Sequence, residues 1–424
     1  MNELREQTKS ESAAPPFRID EKLHQILYKP ASKPALEQEE RELQTLPEPV
    51  FPQNQAGKDG KEMTQKEYQK RNAIRTWRSW GSPYFKSRWH SKELRPIIPY
   101  LFTEWKCNLD CHYCWSYNNR VKGMTEDTAR RSIDWLHSIG SRVLALMGGE
   151  PLLRPNFIHK VTYYAAKKDF FVYLPTNGRL MKPDVIDRLG DAGLATVNLA
   201  IDSVEDRPAL PKALKPIMPY FEYLVKNQRR YGYTIAFNTN ITRINMEDVK
   251  QLTEIAHDNN IAIDFHINET PMMEQTHFKH LEKNSTYLQP DDWPKVDALM
   301  EYLHEKRAAG YKMVNPKQHM DDMLKLMRGE IAPWNCRAGQ NSLIIRTDGT
   351  LAPCFPMYSA THDWGTVGDH KFDVEQLDEM KKSCSKHCLS TCNYILGYCY
   401  DTMRVLGWIA KQARRGFKGV SGSF

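Results

Sequence analysis

The run Cys107-Asn108-Leu109-Asp110-Cys111-His112-Tyr113-Cys114 decides how the rest of the chain is read. Its three cysteines stand at the spacing C-x3-C-x2-C and follow the apolar stretch at 97–105. Thiolates are soft ligands, and a loop this short can gather three of them around one face of an iron–sulfur cube. The fourth iron would then have no protein ligand nearby. Two other readings stay open at this point. Zinc also takes thiolates, more often through paired C-x2-C units, and three thiols can be buried for unrelated reasons.

The bulk properties narrow the setting. A chain of 424 residues suggests two or three structural units at roughly 150 residues each. No apolar run approaches the ~18 residues of a membrane span, and MNELREQTKSES does not read as a signal peptide. The expectation is a cytoplasmic protein. Nine cysteines, an odd number, fall in two groups with none in the first hundred residues. That suits metal ligation in a reducing compartment better than a disulfide framework. The formal charge of +7 is modest but unevenly placed.

Residues 1–66 are polar and dotted with prolines, and read as a disordered extension. Residues 67–95 form a basic and aromatic arm, in which Lys70, Arg71, Arg75, Arg78, Lys86, Arg88, Lys92 and Arg95 alternate with Trp77, Trp80, Tyr84, Phe85 and Trp89. Such an arm can meet nucleic acid, anionic headgroups or an acidic substrate, or can simply pack its aromatics on the next domain. Nucleic acid rests on charge alone and is the weakest of these.

Over 96–275 short apolar runs alternate with amphipathic ones. The pattern predicts strands at 97–103, 143–147, 170–175, 196–201, 234–239 and 262–267, with helices at 126–139, 155–168, 183–192, 214–231 and 246–259. Successive βα units of this kind make an α/β fold with a parallel sheet. Residues 276–334 read as a helical bridge, with Met313, Met320, Met323 and Met327 as a core-filling stripe. Residues 335–400 hold the other six cysteines, and 401–424 form a basic amphipathic tail.

Polar motifs sit at the ends of the predicted strands. They are Met147-Gly148-Gly149-Glu150-Pro151, Leu174-Pro175-Thr176-Asn177-Gly178, Leu199-Ala200-Ile201-Asp202-Ser203 and the run from Phe237-Asn238 to Arg243-Ile244-Asn245. Each alone reads more readily as a turn or strand-end cap. Together with the cysteine run, their order resembles the radical S-adenosylmethionine (SAM) superfamily over about 170 residues. Tyr113 fills the aromatic position before the third cysteine, and Gly148-Gly149-Glu150-Pro151 matches the GGEP motif.

The resemblance implies a partial (β/α)6 barrel with its active site at the C-terminal ends of the strands. It implies a [4Fe-4S] cluster on Cys107, Cys111 and Cys114, and SAM held near Tyr113, Gly148, Gly149, Glu150, Thr176, Asn177, Asp202 and Asn238. Glu150 and nearby carbonyls would receive the SAM amino group. Ala200 departs from the S-x-D segment of the family, which puts ribose binding by that strand in question, while Asp202 keeps the acidic position.

In the second group, Cys336-x12-Gly349-x4-Cys354 encloses Arg346-Thr347-Asp348-Gly349-Thr350, a hairpin signal. This resembles the opening of the SPASM and twitch domains, which carry auxiliary iron–sulfur clusters. Cys384, Cys388, Cys392 and Cys399 follow at C-x3-C-x3-C-x6-C, a partial match. One four-cysteine cluster with two spare thiols, two clusters with incomplete protein ligation, and a zinc site all stay open.

The implied chemistry is reductive cleavage of SAM to a 5′-deoxyadenosyl radical, which takes hydrogen from an unactivated carbon. An electron donor such as a flavodoxin or ferredoxin is implied with it. The preferred substrate is a small or lipid-like molecule, isoprenoid or tetrapyrrole, suggested by the arm, the Met-rich helices and a tail suited to peripheral membrane contact. The alternatives are SPASM-type peptide modification and a non-catalytic iron–sulfur protein.

Overall fold

The structure, a computed structural model, describes residues 45–49, 62–90, 92–114, 121–268, 284–358, 362–385 and 387–400. The expectations placed on residues 1–44 and on the tail at 401–424 lie outside the described residues. Residues 45–49 depart from the disorder expected over 1–66. Leu46 is buried, its N–H donates to Glu126 at 3.0 Å, and Glu48 pairs with Lys160. A single apolar residue with a backbone partner is enough to dock this stretch.

Thr64 opens the ordered arm with a capping box, accepting from the Glu67 N–H while the Glu67 carboxylate accepts from its own N–H at 2.8 Å. Helix α1 (Gln65–Thr76), a π turn (Trp77–Gly81) and α2 (Ser82–Trp89) follow without a break. The arm packs inward, as one of the sequence readings held. Arg75 donates to Ala195 O and Gly232 O and lies 5.2 Å over the Phe171 ring, Tyr68 donates to Tyr233 O, and Trp80 meets Phe171 edge-on. These partners stand at the N-terminal ends of three barrel strands, so the arm closes the barrel at the end remote from the cysteine run.

The six predicted strands are β1 (Ile98–Glu104), β2 (Val143–Gly148), β3 (Phe171–Thr176), β4 (Thr196–Ala200), β5 (Thr234–Ile241) and β6 (Ala262–Ile267). All neighbours run parallel. Between them lie α3 (Glu126–Ser138), α4 (Pro155–Lys167), α5 (Pro183–Asp191), α6 (Met218–Tyr231) and α7 (Met246–Asp258). The helix expected at 214–231 is split into a short 3-10 turn and α6, because Pro216 and Pro219 supply no backbone N–H at its start.

Alternation along each strand sorts residues between two faces. The outward set, including Leu101, Leu144, Val172, Val197, Phe237 and Phe265, packs under the helices as the main core. The inward set is divided. On β1–β3 it is aromatic and apolar, with Tyr100, Phe102, Ala145, Met147 and Tyr173. On β4–β6 the register brings Asn198, Asn238, Asp264 and His266 to the same face.

Beyond the barrel, α8 (Trp293–Ala308) and α9 (Lys317–Met327) bury Met320 and Met323, and Met313 is buried between them and β6. Asn315 seals the edge of β6 by accepting from Phe265 N–H and donating to Phe265 O. The hairpin expected around 346–350 is present as β7 (Ser342–Ile345) and β8 (Leu351–Ala352), and Asp348 accepts from Thr350 in its turn. It extends the barrel sheet itself: β7 lies parallel beside β1, giving the order β6-β5-β4-β3-β2-β1-β7-β8. A small ribbon, β9 (Gly365–Thr366) and β10 (Asp369–His370), and helices α10 (Val374–Cys384) and α11 (Thr391–Tyr400) complete the described residues. Among the described residues, no helix is long and apolar enough to cross a membrane.

Candidate active site

The cysteine run leaves β1 and is held over the strand ends by contacts from four directions. Gly148 and Gly149 end β2 against the backbone that leads to Cys107. A Cβ at Gly149 would lie 2.3 Å from Lys106 O and 2.6 Å from Trp105 O, so only glycine lets the two segments approach this closely. The Gly149 and Glu150 N–H groups donate to Glu104 O and Lys106 O at 2.7 and 2.8 Å. Behind the run, Trp105 donates to the Tyr358 hydroxyl at 2.9 Å, tying it to the cysteine-rich segment.

Glu150 is buried and organises the next two loops. Its carboxylate accepts from the Thr176 hydroxyl at 2.8 Å, the Asn177 N–H at 2.9 Å and the Leu152 N–H at 2.9 Å. Three of about four acceptor positions are thus filled, two on Oε1 and one on Oε2, and Oε2 retains capacity for a donor from a ligand. Burial raises its pKa, against the pull of these hydrogen bonds. Asn177 in turn donates to Asn108 Oδ1 at 2.8 Å, inside the cysteine run.

Tyr113 is fixed from the other side. Its hydroxyl donates to Asp202 Oδ2 and accepts from Lys212 Nζ at 2.9 Å. Asp202 is buried and also accepts from the Asn240 N–H. Burial by itself pulls the Lys212 ammonium down, yet Cys111, Asp202, Cys114 and Cys107 together carry it above its ordinary range. Lys212 was missed by sequence reasoning. It lies between Pro211 and Ala213 in the loop after β4, where no periodicity marks it, and only the fold buries it beside the thiols.

Among the three thiols, Cys111 is buried and Cys107 and Cys114 are partly so. Burial pushes the Cys107 thiol up to about 11 and Cys111 well above its usual value. Metal binding would displace those protons. The donor set fits a cube with one open iron, since three thiols come from eight residues with a cation alongside. Among the described residues, no three Cys, His, Asp or Glu side chains close to metal-holding distance.

Thr176, Asn177, Glu150, Asp202 and Tyr113 therefore gather with the cysteines. Asn238 sits apart, facing the barrel interior, where its amide meets His266 Nε2 at 3.0 Å. The same His266 nitrogen is 3.2 Å from Asp264 Oδ2. Asp264 Oδ1 is buried with no hydrogen-bond partner among the described residues. Neither Asp264 nor His266 was singled out in the sequence, although the polar alternation of Ile263-Asp264-Phe265-His266 is the signal that could have found them.

In the second cysteine group, Cys354, Cys384 and Cys388 belong to one core cluster, with Cys336 packed against it. Cys336 and Cys384 share one electrostatic environment with Lys381, and burial raises both thiols, Cys384 to about 12. Trp334 donates to Cys388 O, and Cys354 follows β8 in the core. Cys399 is raised to about 12 by burial alone and sits where Tyr84 of the arm donates to its carbonyl. The side chain of Cys392 lies outside the described residues.

Residues 106–267 match the Radical SAM superfamily, and the barrel with its cysteine loop is a radical SAM domain. The cofactors of that superfamily are a [4Fe-4S] cluster and SAM. The chain is 28 % identical to the AdoMet-dependent heme synthase of Methanosarcina barkeri, over 38 % of this chain and 47 % of that protein. It is 24 % identical to the Fe-coproporphyrin III synthase of the same organism, over 40 % and 43 %. It thus spans less than half the length of these two relatives. The GTP 3′,8-cyclase of Helicobacter pylori is 26 % identical over 59 % of this chain and 77 % of that one. Streptococcus suis SuiB bound to S-adenosylmethionine shares the fold, with a TM-score of 0.50 and 14 % identity over 79 % and 74 % of the two chains.

Proposed function

We propose that this protein is a cytoplasmic radical SAM enzyme acting on a small, amphiphilic or lipid-like molecule, tetrapyrroles and isoprenoids included. The observation that carries the class is the convergence of Cys107, Cys111 and Cys114 with Glu150 and Asn177 at the strand ends. When bound, the cluster and SAM supply a 5′-deoxyadenosyl radical able to take hydrogen from an unactivated carbon. Cys107, Cys111 and Cys114 would hold the cluster. Glu150 Oε2 would receive an ammonium, and Gly148 and Gly149 set the height of the loop above the strands.

The substrate reading rests on the divided barrel interior. Partly buried Met147 and Tyr173 give it an apolar side, and Asn238, Asp264 and His266 a polar one. A molecule with an apolar body and a hydrogen-bonding end satisfies both. The relatives named for heme and Fe-coproporphyrin III synthesis accord with this. An auxiliary cluster on Cys336, Cys384 and their neighbours, fed by a flavodoxin- or ferredoxin-like donor, belongs to the same proposal.

Anaerobic reconstitution with iron, sulfide, SAM and a reductant tests the class. The wild type should form 5′-deoxyadenosine, and the Cys107→Ala/Cys111→Ala/Cys114→Ala variant should form none. Activity in the triple variant would overturn the assignment. Metabolite and lipid profiles of cells with and without the protein, set beside peptide mass spectra, then choose the substrate.

A further inference from the structure

The arm has an outer face that the barrel does not use. In an uninterrupted α-helix Trp77 and Trp89, twelve residues apart, would point about 120° from each other. The π turn at Trp77–Gly81 is wider than an α turn and takes back most of that angle. Its effect is visible one step earlier, where Trp77 and Phe85 lie with ring centroids 5.8 Å apart. Gly81 makes room for this arrangement, since a Cβ there would stand 2.7 Å from the Trp77 ring.

The result is one continuous stripe. Ile74, Trp77 and Trp89 are 45 %, 58 % and 79 % exposed, and Phe85 lies partly buried against the Trp77 ring. Lys66, Lys70, Arg78 and Lys86 are exposed along its margins. The acid among them, Glu67, is turned back onto Thr64 in the capping box. Two indoles in water flanked by lysine and arginine are out of place on a solvated face, and they match the boundary between acyl chains and anionic headgroups.

The neighbourhood adds a second observation. Arg88 donates to Tyr400 O at 2.9 Å and Ser87 meets the Tyr400 hydroxyl, so the described chain ends against α2. In sequence, Arg404, Lys411, Arg414, Arg415 and Lys418 follow Tyr400.

We infer that the outer face of α1 and α2 is a docking surface for an anionic membrane, with Trp77 and Trp89 as its apolar anchors. This stands independently of the radical chemistry, and the cysteine loop lies at the other end of the barrel. The test is co-sedimentation of the reconstituted full chain with vesicles of phosphatidylglycerol and phosphatidylcholine, and with phosphatidylcholine alone, at low and high salt. The wild type should pellet with the anionic vesicles at low salt and partition at least tenfold less at high salt or on neutral vesicles.

Trp77→Ser/Trp89→Ser should lower binding about tenfold or more, and Lys70→Glu/Arg78→Glu/Lys86→Glu should abolish it. Both should leave substrate-free formation of 5′-deoxyadenosine unchanged, which shows that the chain is folded. A wild type that stays in the supernatant, or variants that pellet as it does, would overturn the inference. So would binding that disappears only with residues 401–424, and so would capture of single-stranded nucleic acid by this face in place of vesicles.

Discussion

The Tyr113 hydroxyl donates to the carboxylate of Asp202, 89 positions away in sequence. The aromatic of the cysteine run is therefore bolted to the end of β4, and Lys212 completes the contact at 2.9 Å from the same oxygen. The Asp202 side chain thus helps to hold the loop that carries the thiols.

Removing that hydroxyl should loosen the loop without touching a thiol. Tyr113→Phe leaves buried groups on Asp202 and Lys212 each short of a partner, at about 1–3 kcal/mol apiece. We expect lower iron retention after reconstitution and a lower melting temperature. Lys212→Met should be worse, because it strands the Asp202 carboxylate, and Asp202→Asn/Lys212→Met should recover part of the loss. Iron per chain and thermal melts read all three. Additive losses would mean that the two residues do not act as a pair.

Gly149→Ala should also empty the site, for a steric reason. Its methyl would meet Lys106 O at 2.3 Å, and backbone on both sides leaves nothing flexible to yield. The strand end before Cys107 must then move. Iron retention should fall severalfold, while the far-ultraviolet circular dichroism stays near wild type. Normal iron content would show that the loop tolerates the shift.

Most of the barrel was legible because buried parallel strands and amphipathic helices write themselves locally. Val143 to Met147 is a strand in any context, and Ile133 and Leu136 stripe α3 at helical spacing. The cysteines, Gly148-Gly149-Glu150 and Thr176-Asn177 were legible as motifs. Lys212 was not, since its burial depends on how the loop after β4 folds back on the cysteine run, whereas Asp264 and His266 left only the polar alternation of β6 as a signal. The pairing of β7 with β1 was hidden as well: a hairpin signal gives its turn, not the sheet edge it joins.

Asp264 offers a way to separate substrate handling from SAM cleavage. Its Oδ1 is buried without a donor among the described residues, and a substrate N–H or O–H would supply one. Asp264→Asn should leave substrate-free 5′-deoxyadenosine formation within about twofold of wild type. Turnover of the true substrate should drop by roughly ten- to a hundredfold, as for loss of a hydrogen bond to a charged group. Equal losses in both assays would make Asp264 a structural residue of β6.

His319 provides a test in pH. Its ring stacks on Tyr394 with centroids 4.4 Å apart, and Nδ1 meets the Asn315 amide at 3.1 Å. Burial pulls its pKa down to about 4, against about 6.5 when the chain is unfolded. Between those values the unfolded state binds a proton that the folded state refuses, so stability is whole above pH 6.5 and declines as pH falls toward 4. The full span corresponds to on the order of 3 kcal/mol. His319→Phe keeps the stack and removes the titration. It should cost some stability at pH 7.5, through the lost contact with Asn315, and then lose less than wild type as the solution is acidified. Paired unfolding curves at pH 7.5, 6 and 5 measure the difference, and effects of acid on bound iron cancel between the two proteins. Parallel pH profiles would show that His319 does not carry the proton linkage.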